Sequence, residues 1–336
     1  TGIVVLALIF SASFFYYMNM ARDISVASTR IYGAYLPLTE ALDKADEQKE
    51  HLWRLLGETV LAAGRGKGLE ALTEDKPKIM LPVAGKPLLR WLVDGFKNQG
   101  INDITVVGGY KAEAIDAAGI KLVRNERHAS TGELASLACA ADSLETDTVV
   151  SYGDLMFRSY ILRDLLETDA PFSVVVDSSE SAPSNQSVRD FAWCSAADDR
   201  DLFGQKVLLR KISDTPAATD GEPHGRWIGL LNVRGEGRAR LQKLLAELRQ
   251  RPDFDSLDMP DLINALVEAG EKVEVRYVHG HWRGVNDLED FRRAGDRAGA
   301  ALCGSAVVID YLWRLTDDFV DTLRIGACQQ GNTGYL

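Results

Sequence analysis

Short runs of β-branched residues alternate with amphipathic helical segments through the middle of this chain, and this alternation constrains the fold more than any other feature. Strands are predicted at Thr59–Ala63, Ile104–Val107, Thr148–Tyr152 and Phe172–Val176, and helices at Pro87–Gln99, Gly132–Leu144 and Arg158–Leu166. Compact apolar strands separated by helices are typical of a mostly parallel sheet with helices on both faces. The sequence therefore predicts a doubly wound α/β fold, in which ligands bind beyond the carboxyl ends of the strands.

The composition fits a folded globular protein and argues against a nucleic-acid-binding one. Hydrophobic residues make up 46% of the 336 residues, and the net charge is −11 at pH 7. A protein that neutralises nucleic-acid phosphates needs an excess of basic side chains. Basic residues outnumber acidic ones only locally, between Arg65 and Arg90, which favours a small anionic ligand. We therefore expect no nucleic-acid partner.

The two ends of the chain differ from the α/β region. Thr1–Ala21 is uncharged and just long enough to cross a bilayer as a helix, although a buried helix of a soluble domain is the alternative. Residues 22–56 are polar and favour a helical connector. The α/β domain is expected over residues 57–298. For the extension over residues 299–336, an extra helix, a homodimer contact and the start of another module all stay open.

The cysteines bear on the cellular compartment. The chain has four, at positions 139, 194, 303 and 328, with no CxxC pair and no histidine at metal-ligand spacing. This pattern indicates reduced thiols in a cytosolic protein. If Thr1–Ala21 is a membrane tether, we expect the α/β domain on the inner face of that membrane.

A glycine-rich loop follows the first predicted strand. Its glycines are Gly64, Gly66 and Gly68, and their backbone N–H groups could approach phosphate oxygens closely. Arg65 and Lys67 would add positive charge. The loop is not a dinucleotide fingerprint, because the third glycine position holds Leu69, and it lacks the Ser or Thr of a Walker A loop. On its own, such a loop is also compatible with an ordinary turn.

The loop and the residues after it together resemble the signature of the nucleotidyltransferase family that includes sugar-phosphate nucleotidyltransferases and phosphocholine cytidylyltransferases. The signature blocks L-A-A-G-x-G-x-R-L, T-x-x-x-P-K and L-P-V-x-G-K-P-L correspond to Leu61–Leu69, Thr73–Lys78 and Leu81–Leu88. The resemblance implies a Rossmann-like nucleotidyltransferase fold, a loop around the phosphates of an NTP, and Lys78 as a catalytic residue on the α-phosphate or the incoming phosphate. One departure is Gly68, where the family usually has an Arg that holds the triphosphate. Arg65 or Lys67 must then compensate, or the activity is altered.

Two further segments resemble the metal-binding motifs of the same family. A predicted strand delivers Gly153 and Asp154 at its carboxyl end, and the resemblance implies that Asp154 holds Mg²⁺ against the α-phosphate. In the closing motif, Asn286 and the adjacent Asp287 stand where acidic metal ligands are expected. Asn286 and Glu289 could instead form an N-cap pair that opens the last helix.

The resemblance also implies residues around the nucleotide and the acceptor. The expected nucleotide-binding residues are Leu61, Ala62, Ala63, Gly64, Gly66, Gly68, Gly109, Tyr110, Thr131, Gly132 and Ser136. Ordinary helix-start chemistry is the alternative for Thr131 and Glu133. On the acceptor side, Asp177 is expected to meet a cationic amino group and Lys211 the acceptor phosphate. Trp193 and Trp227 are either an aromatic wall for an ammonium group or residues of the core.

In their individual residues, these motifs are most similar to those of phosphonate-pathway cytidylyltransferases. It implies transfer of CMP from CTP to a small phosphonate or phospho-amino-alcohol, such as 2-aminoethylphosphonate or phosphocholine, with Mg²⁺ and release of pyrophosphate. One alternative is a sugar-1-phosphate nucleotidyltransferase that uses another NTP. The other is a degenerate nucleotide-binding regulatory module, which the departures at Gly68 and Asn286 make a candidate.

Overall fold

The computed structural model describes residues 56–65, 69, 72–116, 118–180, 190–199, 205–215 and 221–295. All of them belong to one structural unit, Leu55–Leu336. The elements in chain order are β1 (Gly57–Ala62), β2 (Pro82–Val83), β3 (Lys86–Pro87), α1 (Leu88–Lys97), β4 (Asp103–Gly108), β5 (Lys121–Arg124), α2 (Glu133–Cys139), β6 (Thr148–Tyr152), β7 (Leu155–Phe157), α3 (Ser159–Leu166), β8 (Phe172–Asp177), β9 (Phe191–Cys194), β10 (Leu209–Ser213), β11 (Gly225–Val233), α4 (Glu236–Leu248), α5 (Met259–Glu268), β12 (Val273–Val278), β13 (Trp282–Gly284) and a last helix, α6, over 288–295.

Nine of these strands form one mostly parallel sheet. Its main path runs β5–β4–β1–β6–β11–β8–β12, and β9 and β10 continue from the first residues of β11. Along the main path only β11 is antiparallel to its neighbours. The carboxyl ends of β4, β1, β6 and β8 therefore lie along one edge, and the predicted doubly wound sheet is confirmed.

Helices cover both faces of the sheet. Leu231 and Val233 on β11 belong to a core cluster with residues of α2, α4 and α5. Asn232, between them, points the other way and donates its amide to the Leu165 carbonyl of α3 at 3.3 Å. Because successive strand residues point to opposite faces, these contacts place two helical layers on the two sides of the sheet.

The predicted element boundaries are close to the observed ones. The strand Thr148–Tyr152 is as predicted, and α1 begins after Pro87 and ends near Gly100, whose φ of +84° suits a helix stop. The helix predicted at Gly132–Leu144 is shorter, because α2 ends at Cys139 and a separate 3₁₀ turn covers Ala141–Leu144.

The predictions for the chain ends fall outside the described residues. These are the candidate transmembrane helix Thr1–Ala21, nearly all of the connector over residues 22–56, and the extension over residues 299–336. Within the part of the chain that the structure describes, every helix is too short or too polar to cross a bilayer.

A carboxyl group is buried in the sheet, near the start of β1 and away from the carboxyl edge. Glu58 on β1 is 1% exposed, and one of its oxygens accepts a hydrogen bond from the Ser151 hydroxyl on β6. Its other oxygen, Oε2, has no hydrogen-bond partner among the described residues. Burial raises the pKa of Glu58 well above its usual value of 4.5, and the bond from Ser151 only partly opposes this. The fold therefore favours the neutral acid at this position.

This burial predicts a pH-dependent stability. The Glu58 carboxylate is more stable in the unfolded chain than in the fold. The contribution of the neutral Glu58 side chain to folding stability is therefore complete below about pH 4.5 and is lost as the pH rises towards the raised pKa. We expect Glu58→Gln to remove this dependence, so that the variant gains at least about 1 kcal/mol relative to the parent protein between pH 5 and pH 8. Urea unfolding at both pH values measures it. The exposed Glu113→Gln is the control, and equal pH slopes for parent and Glu58→Gln would contradict the prediction.

Candidate active site

Lys78 and Asp154 form an ion pair at the carboxyl edge of the sheet. Lys78 opens the 3₁₀ turn Lys78–Met80, and Asp154 lies in the turn between β6 and β7. The Lys78 ammonium contacts Asp154 Oδ2, and the two side chains are only 14% and 16% exposed. The structure therefore brings together the predicted catalytic lysine and the predicted metal ligand, which are 76 residues apart in sequence.

Gly153 controls this approach. Its N–H donates to the Leu61 carbonyl of β1 at 2.9 Å, and a Cβ at this position would lie 2.9 Å from Ala62 Cβ and 3.0 Å from Ile79 Cγ2. Ile79 belongs to the turn that carries Lys78. Because position 153 has no side chain, the ends of β1 and β6 can pack together and bring Asp154 to the lysine.

The loop after β4 packs on the loop after β1. The Tyr110 N–H donates to the Ala63 carbonyl at 3.0 Å, and the Arg65 guanidinium lies over the Tyr110 ring, 5.1 Å from its centroid. A Cβ on Gly109 would come within 2.7 Å of the Ala63 oxygen and 2.5 Å of His128 Cβ. Four predicted nucleotide-binding or catalytic residues are therefore adjacent.

The structure describes only some of the other residues predicted for the glycine loop. Leu61 and Ala62 end β1 and lie against Gly153, the neighbour of Asp154, and Gly64 follows in the loop. Gly66, Lys67 and Gly68 lie outside the described residues. The expected compensation for the missing Arg at Gly68 therefore stays a prediction, for which Arg65 is the described candidate.

The segment before α2 is held by Asn125, which the sequence analysis did not single out. Its side-chain amide donates to the Thr131 hydroxyl at 2.9 Å and to the Ser136 hydroxyl at 3.0 Å. Gly132, the residue that precedes α2, has no side-chain cap, and its N–H donates to the Asp255 carbonyl at 2.7 Å. Thr131 is therefore not the cap of this helix, and the helix-start alternative is wrong for it.

Glu133 and Tyr152 form a largely buried pair beside this segment. The Tyr152 hydroxyl donates to Glu133 Oε2 at 2.7 Å. Burial raises the pKa of Glu133 to about 7, the bond from Tyr152 opposes the rise, and the carboxylates of Asp258 and Asp190 add to it. This is a region of negative potential. Periodicity did not reveal it, because the two residues come from different elements.

The ribbon of β7 and β13 connects Asp154 to the closing motif. The two strands pair antiparallel with Leu155 opposite Gly284, and the Val285 N–H donates to the Asp154 carbonyl at 3.0 Å. Asn286 is the next residue, and a Cβ on Gly284 would lie 3.0 Å from its side-chain nitrogen. The pairing therefore brings the backbone of Asn286 close to that of Asp154, as a shared metal site requires.

Asp287, not Asn286, caps the last helix. Asp287 Oδ1 accepts from the Asp290 N–H at 2.8 Å, and Asp290 in turn accepts from the Asn286 N–H at 3.2 Å. Glu289 instead pairs with Arg292 and Arg293. The proposed Asn286–Glu289 cap is therefore wrong by one residue. One oxygen of Asp287 is used by the cap and the other is not, so Asn286 and Asp287 both stay candidates for the second ligand.

These residues fit Mg²⁺. The ion prefers oxygen ligands and usually takes one or two protein carboxylates together with substrate phosphates and waters. Asp154 already faces a cation, the Lys78 ammonium. Among the described residues, no three His, Cys, Asp or Glu side chains converge to hold a metal ion, so substrate phosphates and waters would have to complete the coordination. The candidate magnesium ligands of the chain are Asp154 with Asn286 or Asp287.

Asp177 has a structural position that conflicts with acceptor binding. It is 1% exposed, and its carboxylate accepts hydrogen bonds from Trp282 Nε1 at 2.6 Å, the Gly280 N–H at 3.1 Å and the Ser179 hydroxyl at 2.6 Å. The expected contact with a cationic amino group is therefore wrong. As the last residue of β8, Asp177 instead ties this strand to the turn between β12 and β13.

Lys211 and the two tryptophans lie in the small β9–β10 extension and on β11. Lys211 is inside β10 rather than after a strand, and its Nζ lies 5.6 Å from the centroid of the Trp193 ring. Trp193 is 4% exposed and Trp227 is 1% exposed. Trp227 donates its indole N–H to the Leu230 carbonyl at 2.9 Å. Both tryptophans are core residues, so the aromatic wall is not formed by them.

The close contact at Gly109 predicts a steric sensitivity. We expect Gly109→Ala to push the β4 loop away from Ala63, because the new Cβ would meet the carbonyl oxygen at 2.7 Å. The expected cost is about 1–3 kcal/mol of stability, and about tenfold weaker binding of CTP, equivalent to about 1.4 kcal/mol. Thermal unfolding and calorimetric titration measure the two effects. Gly95→Ala, in α1 with open space around it, should leave CTP binding unchanged and raise stability by up to about 1 kcal/mol, because alanine favours a helix more than glycine does. Unaltered CTP binding in Gly109→Ala would count against the site.

Curated relatives of this chain include cytidylyltransferases and a uridylyltransferase. A choline-phosphate cytidylyltransferase of Streptococcus pneumoniae is 33% identical over 110 residues, which are 32% of this chain and 48% of the relative, so the chain spans about half of that enzyme. A CTP:phosphoglutamine cytidylyltransferase of Campylobacter jejuni is 24% identical over 256 residues, 69% of this chain and 96% of the relative. A UTP–glucose-1-phosphate uridylyltransferase of Haloferax volcanii is 35% identical over 106 residues, 30% of this chain and 44% of the relative.

Solved structures of related proteins share the fold. The CTP:phosphocholine cytidylyltransferase of Streptococcus pneumoniae superposes with a TM-score of 0.58 at 21% identity, covering 72% of this chain and 99% of that one. An inositol-1-phosphate CTP transferase of T. maritima gives a TM-score of 0.56 at 17% identity, with 70% and 90% covered. The Rossmann-like nucleotidyltransferase fold is thereby confirmed.

A family match covers most of the site. Residues 59–252, more than half of the chain, match the MobA-like NTP transferase domain. The matched range includes the glycine loop, Lys78, Gly109 and Asp154, whereas Asn286 lies beyond it. The chain therefore belongs to the MobA-like NTP transferase domain family.

Proposed function

We propose that this chain transfers CMP from CTP to a small phosphonate or phospho-amino-alcohol, of which 2-aminoethylphosphonate and phosphocholine are examples, and releases pyrophosphate. The observation that carries the proposal is the Lys78–Asp154 pair, held beside the end of β1, which the glycine loop follows in sequence. The cytidylyltransferases among the relatives support CTP as the donor. The proposal of a phosphonate acceptor rests on the resemblance of the sequence motifs to those of phosphonate-pathway cytidylyltransferases.

The reaction needs alignment and charge neutralisation rather than a general base. An ionised oxygen of the acceptor attacks the α-phosphorus of CTP, the new phosphorus–oxygen bond forms, and the bond to the bridging oxygen of the β-phosphate breaks. The attacking oxygen of the acceptor is already ionised near neutral pH, so no proton has to be removed from it. Lys78, with Arg65 and the loop amides, would hold the phosphates in line and offset their charge. Lys67 would add to this charge.

Asp154 and Asn286 would hold Mg²⁺. The ion, when bound, supplies neutralisation of the charge that develops on the phosphate oxygens. The role of this chain is to present oxygen ligands on one rigid ribbon, through the pairing of β7 with β13. Asp287 would contribute only its second carboxylate oxygen, because the first is used by the helix cap.

The acceptor's cationic group is proposed to lie near Glu133 and Tyr152. Tyr152 is the last residue of β6 and stands two residues before Asp154, so the pair lies at the same edge of the sheet as the proposed reaction centre. Glu133, Asp190 and Asp258 concentrate negative charge there. An ammonium group would be attracted to such a region. Lys211 stays the proposed partner of the acceptor phosphate.

A sugar-1-phosphate acceptor is the second candidate. The Haloferax volcanii uridylyltransferase, at 35% identity over 106 residues, favours it. A neutral sugar would gain no electrostatic attraction from Glu133, and its donor would be UTP or another NTP. The choice of acceptor and nucleotide therefore separates the two proposals in one assay.

The first test is turnover. We expect pyrophosphate release from CTP with phosphocholine or 2-aminoethylphosphonate, and Asp154→Asn should lower kcat by at least about 100-fold, since it removes the metal-binding charge. Pyrophosphate is measured with a coupled phosphate assay across both acceptors and glucose-1-phosphate, each with CTP and UTP. The exposed Asp116→Asn is the control and should keep full activity. No pyrophosphate release with any acceptor would favour the degenerate binding module instead.

The second test is the pH dependence of acceptor binding. Because the pKa of Glu133 is about 7, its carboxylate forms as the pH rises through 7, and KM for phosphocholine should fall over that range. Phosphocholine suits this test because its quaternary ammonium does not titrate. Glu133→Gln should raise KM about tenfold at pH 8, equivalent to about 1.4 kcal/mol.

The control for this experiment is the pH profile of the variant itself. Ionisation of the acceptor phosphate affects the parent protein and Glu133→Gln equally, so only the step near pH 7 should disappear. KM for CTP should stay within about twofold, well under 1 kcal/mol. Parallel pH profiles for the two proteins would rule out Glu133 as the ammonium partner.

A further inference from the structure

A cavity of about 430 Å³ lies behind α2, between this helix and the segment that follows α4. Its charged lining consists of Arg127, Arg249 and Arg251, against one carboxylate, Asp255. Ala135, Ala138 and Phe254 supply an apolar wall. Asp253 is the ion-pair partner of Arg251, so the three arginines face two carboxylates and leave an excess of one positive charge at the cavity, in a chain with a net charge of −11.

The cavity is separate from the proposed active site. Ala138 and Cys139 come three and four residues after Ala135 and share one face of α2 with it. This face lines the cavity. Glu133 and Ser136 contact Tyr152 and Asn125 instead, on the side of the helix nearer the carboxyl edge of the sheet. A ligand in the cavity would therefore not occupy the position proposed for CTP or the acceptor.

The arginines are held in place but retain binding capacity. Arg127 makes two hydrogen bonds to Asp255, at 2.8 and 3.1 Å, and Arg251 makes two to Asp253, at 2.9 and 2.6 Å. Arg249 donates to the Ala138 carbonyl. A guanidinium carries five N–H donors in a planar fork that suits phosphate oxygens, so these partners orient the three groups without using all their donors.

We propose that this cavity is a second binding site, for a small phosphorylated anion, formed by Arg127, Arg249 and Arg251. Phosphate oxygens match the paired donors of the guanidinium groups, and the apolar wall suits the carbon skeleton of a phosphorylated metabolite. Asp255 limits the affinity, because its carboxylate competes with the ligand for Arg127.

A ligand bound in this cavity would affect the active site through its competition with Asp255. The Asp255 carbonyl accepts from the Gly132 N–H at 2.7 Å, and the Leu257 carbonyl accepts from the Leu134 N–H at 3.1 Å. An anion that takes Arg127 from Asp255 weakens the anchor of this segment on α2, which carries Glu133. This consequence rests on the proposed function, whereas the binding site does not, so binding is measured without turnover.

Cys139 gives a direct readout, because this exposed thiol lines the cavity. The experiment measures its alkylation rate by neutral iodoacetamide, with peptide mass spectrometry, at increasing inorganic phosphate or pyrophosphate. Sodium chloride at equal ionic strength is the reference, and buried Cys194 is the internal standard. We expect saturable slowing of at least about threefold, equivalent to about 0.65 kcal/mol.

Two substitutions should act in opposite directions. Arg251→Gln should weaken phosphate protection of Cys139 about fivefold, and Asp255→Asn should strengthen it by a similar factor, as gain or loss of one partly exposed charge contact predicts. Each variant is compared with and without phosphate, so changes in intrinsic thiol reactivity cancel. Arg240→Gln, on the exposed face of α4 and paired with Glu236 and Glu271, should behave as the parent protein.

The outcomes are decisive in both directions. Protection that saturates, weakens in Arg251→Gln and strengthens in Asp255→Asn supports the site. Protection equal to that by chloride, or protection that is unchanged in both variants, overturns it. Loss of CTP turnover would not affect this result, so the second site and the proposed function can fail independently.

Discussion

The candidate active site depends on how closely the ends of β1 and β6 approach each other. Gly153 packs against Ala62 and Ile79, where a Cβ would lie 2.9–3.0 Å from their carbon atoms. This contact brings the turn that carries Asp154 against the turn that carries Lys78. A carboxylate and an ammonium are thereby held, mostly shielded from water, beside the end of β1. The proposed binding of a triphosphate depends on both groups together.

The sheet and the centre of the site could be predicted from the sequence because both depend on local patterns. Apolar strands such as Thr148–Tyr152 are recognised by their own residues, and the parallel order follows from the helices between them. The roles of Lys78, Gly109 and Asp154 were expected from the resemblance to the nucleotidyltransferase motifs. The carboxyl ends of parallel strands share one edge, which agrees with the observed closeness of Lys78 and Asp154.

The errors concern residues whose roles depend on partners distant in sequence. Asp177 follows a strand, as a binding residue would, but Trp282 and Gly280 enclose its carboxylate from 105 and 103 residues away. Glu133 was noticed only at a helix start, since its pKa depends on burial and on Asp258, far along the chain. The cap at Asp287 differs from the expected one by a single position, which sequence spacing alone rarely resolves.

The ribbon of β7 and β13 has a consequence for how the protein is made. Its two strands come from distant parts of the chain, around Met156 and Arg283, and the sheet strands between them are synthesised first. The ribosome therefore releases a nearly complete sheet before the strand that carries Asn286 towards Asp154 becomes available. A chain truncated before Trp282 would lack one half of the proposed magnesium site, so nascent fragments that end before this residue should be unable to consume nucleotide.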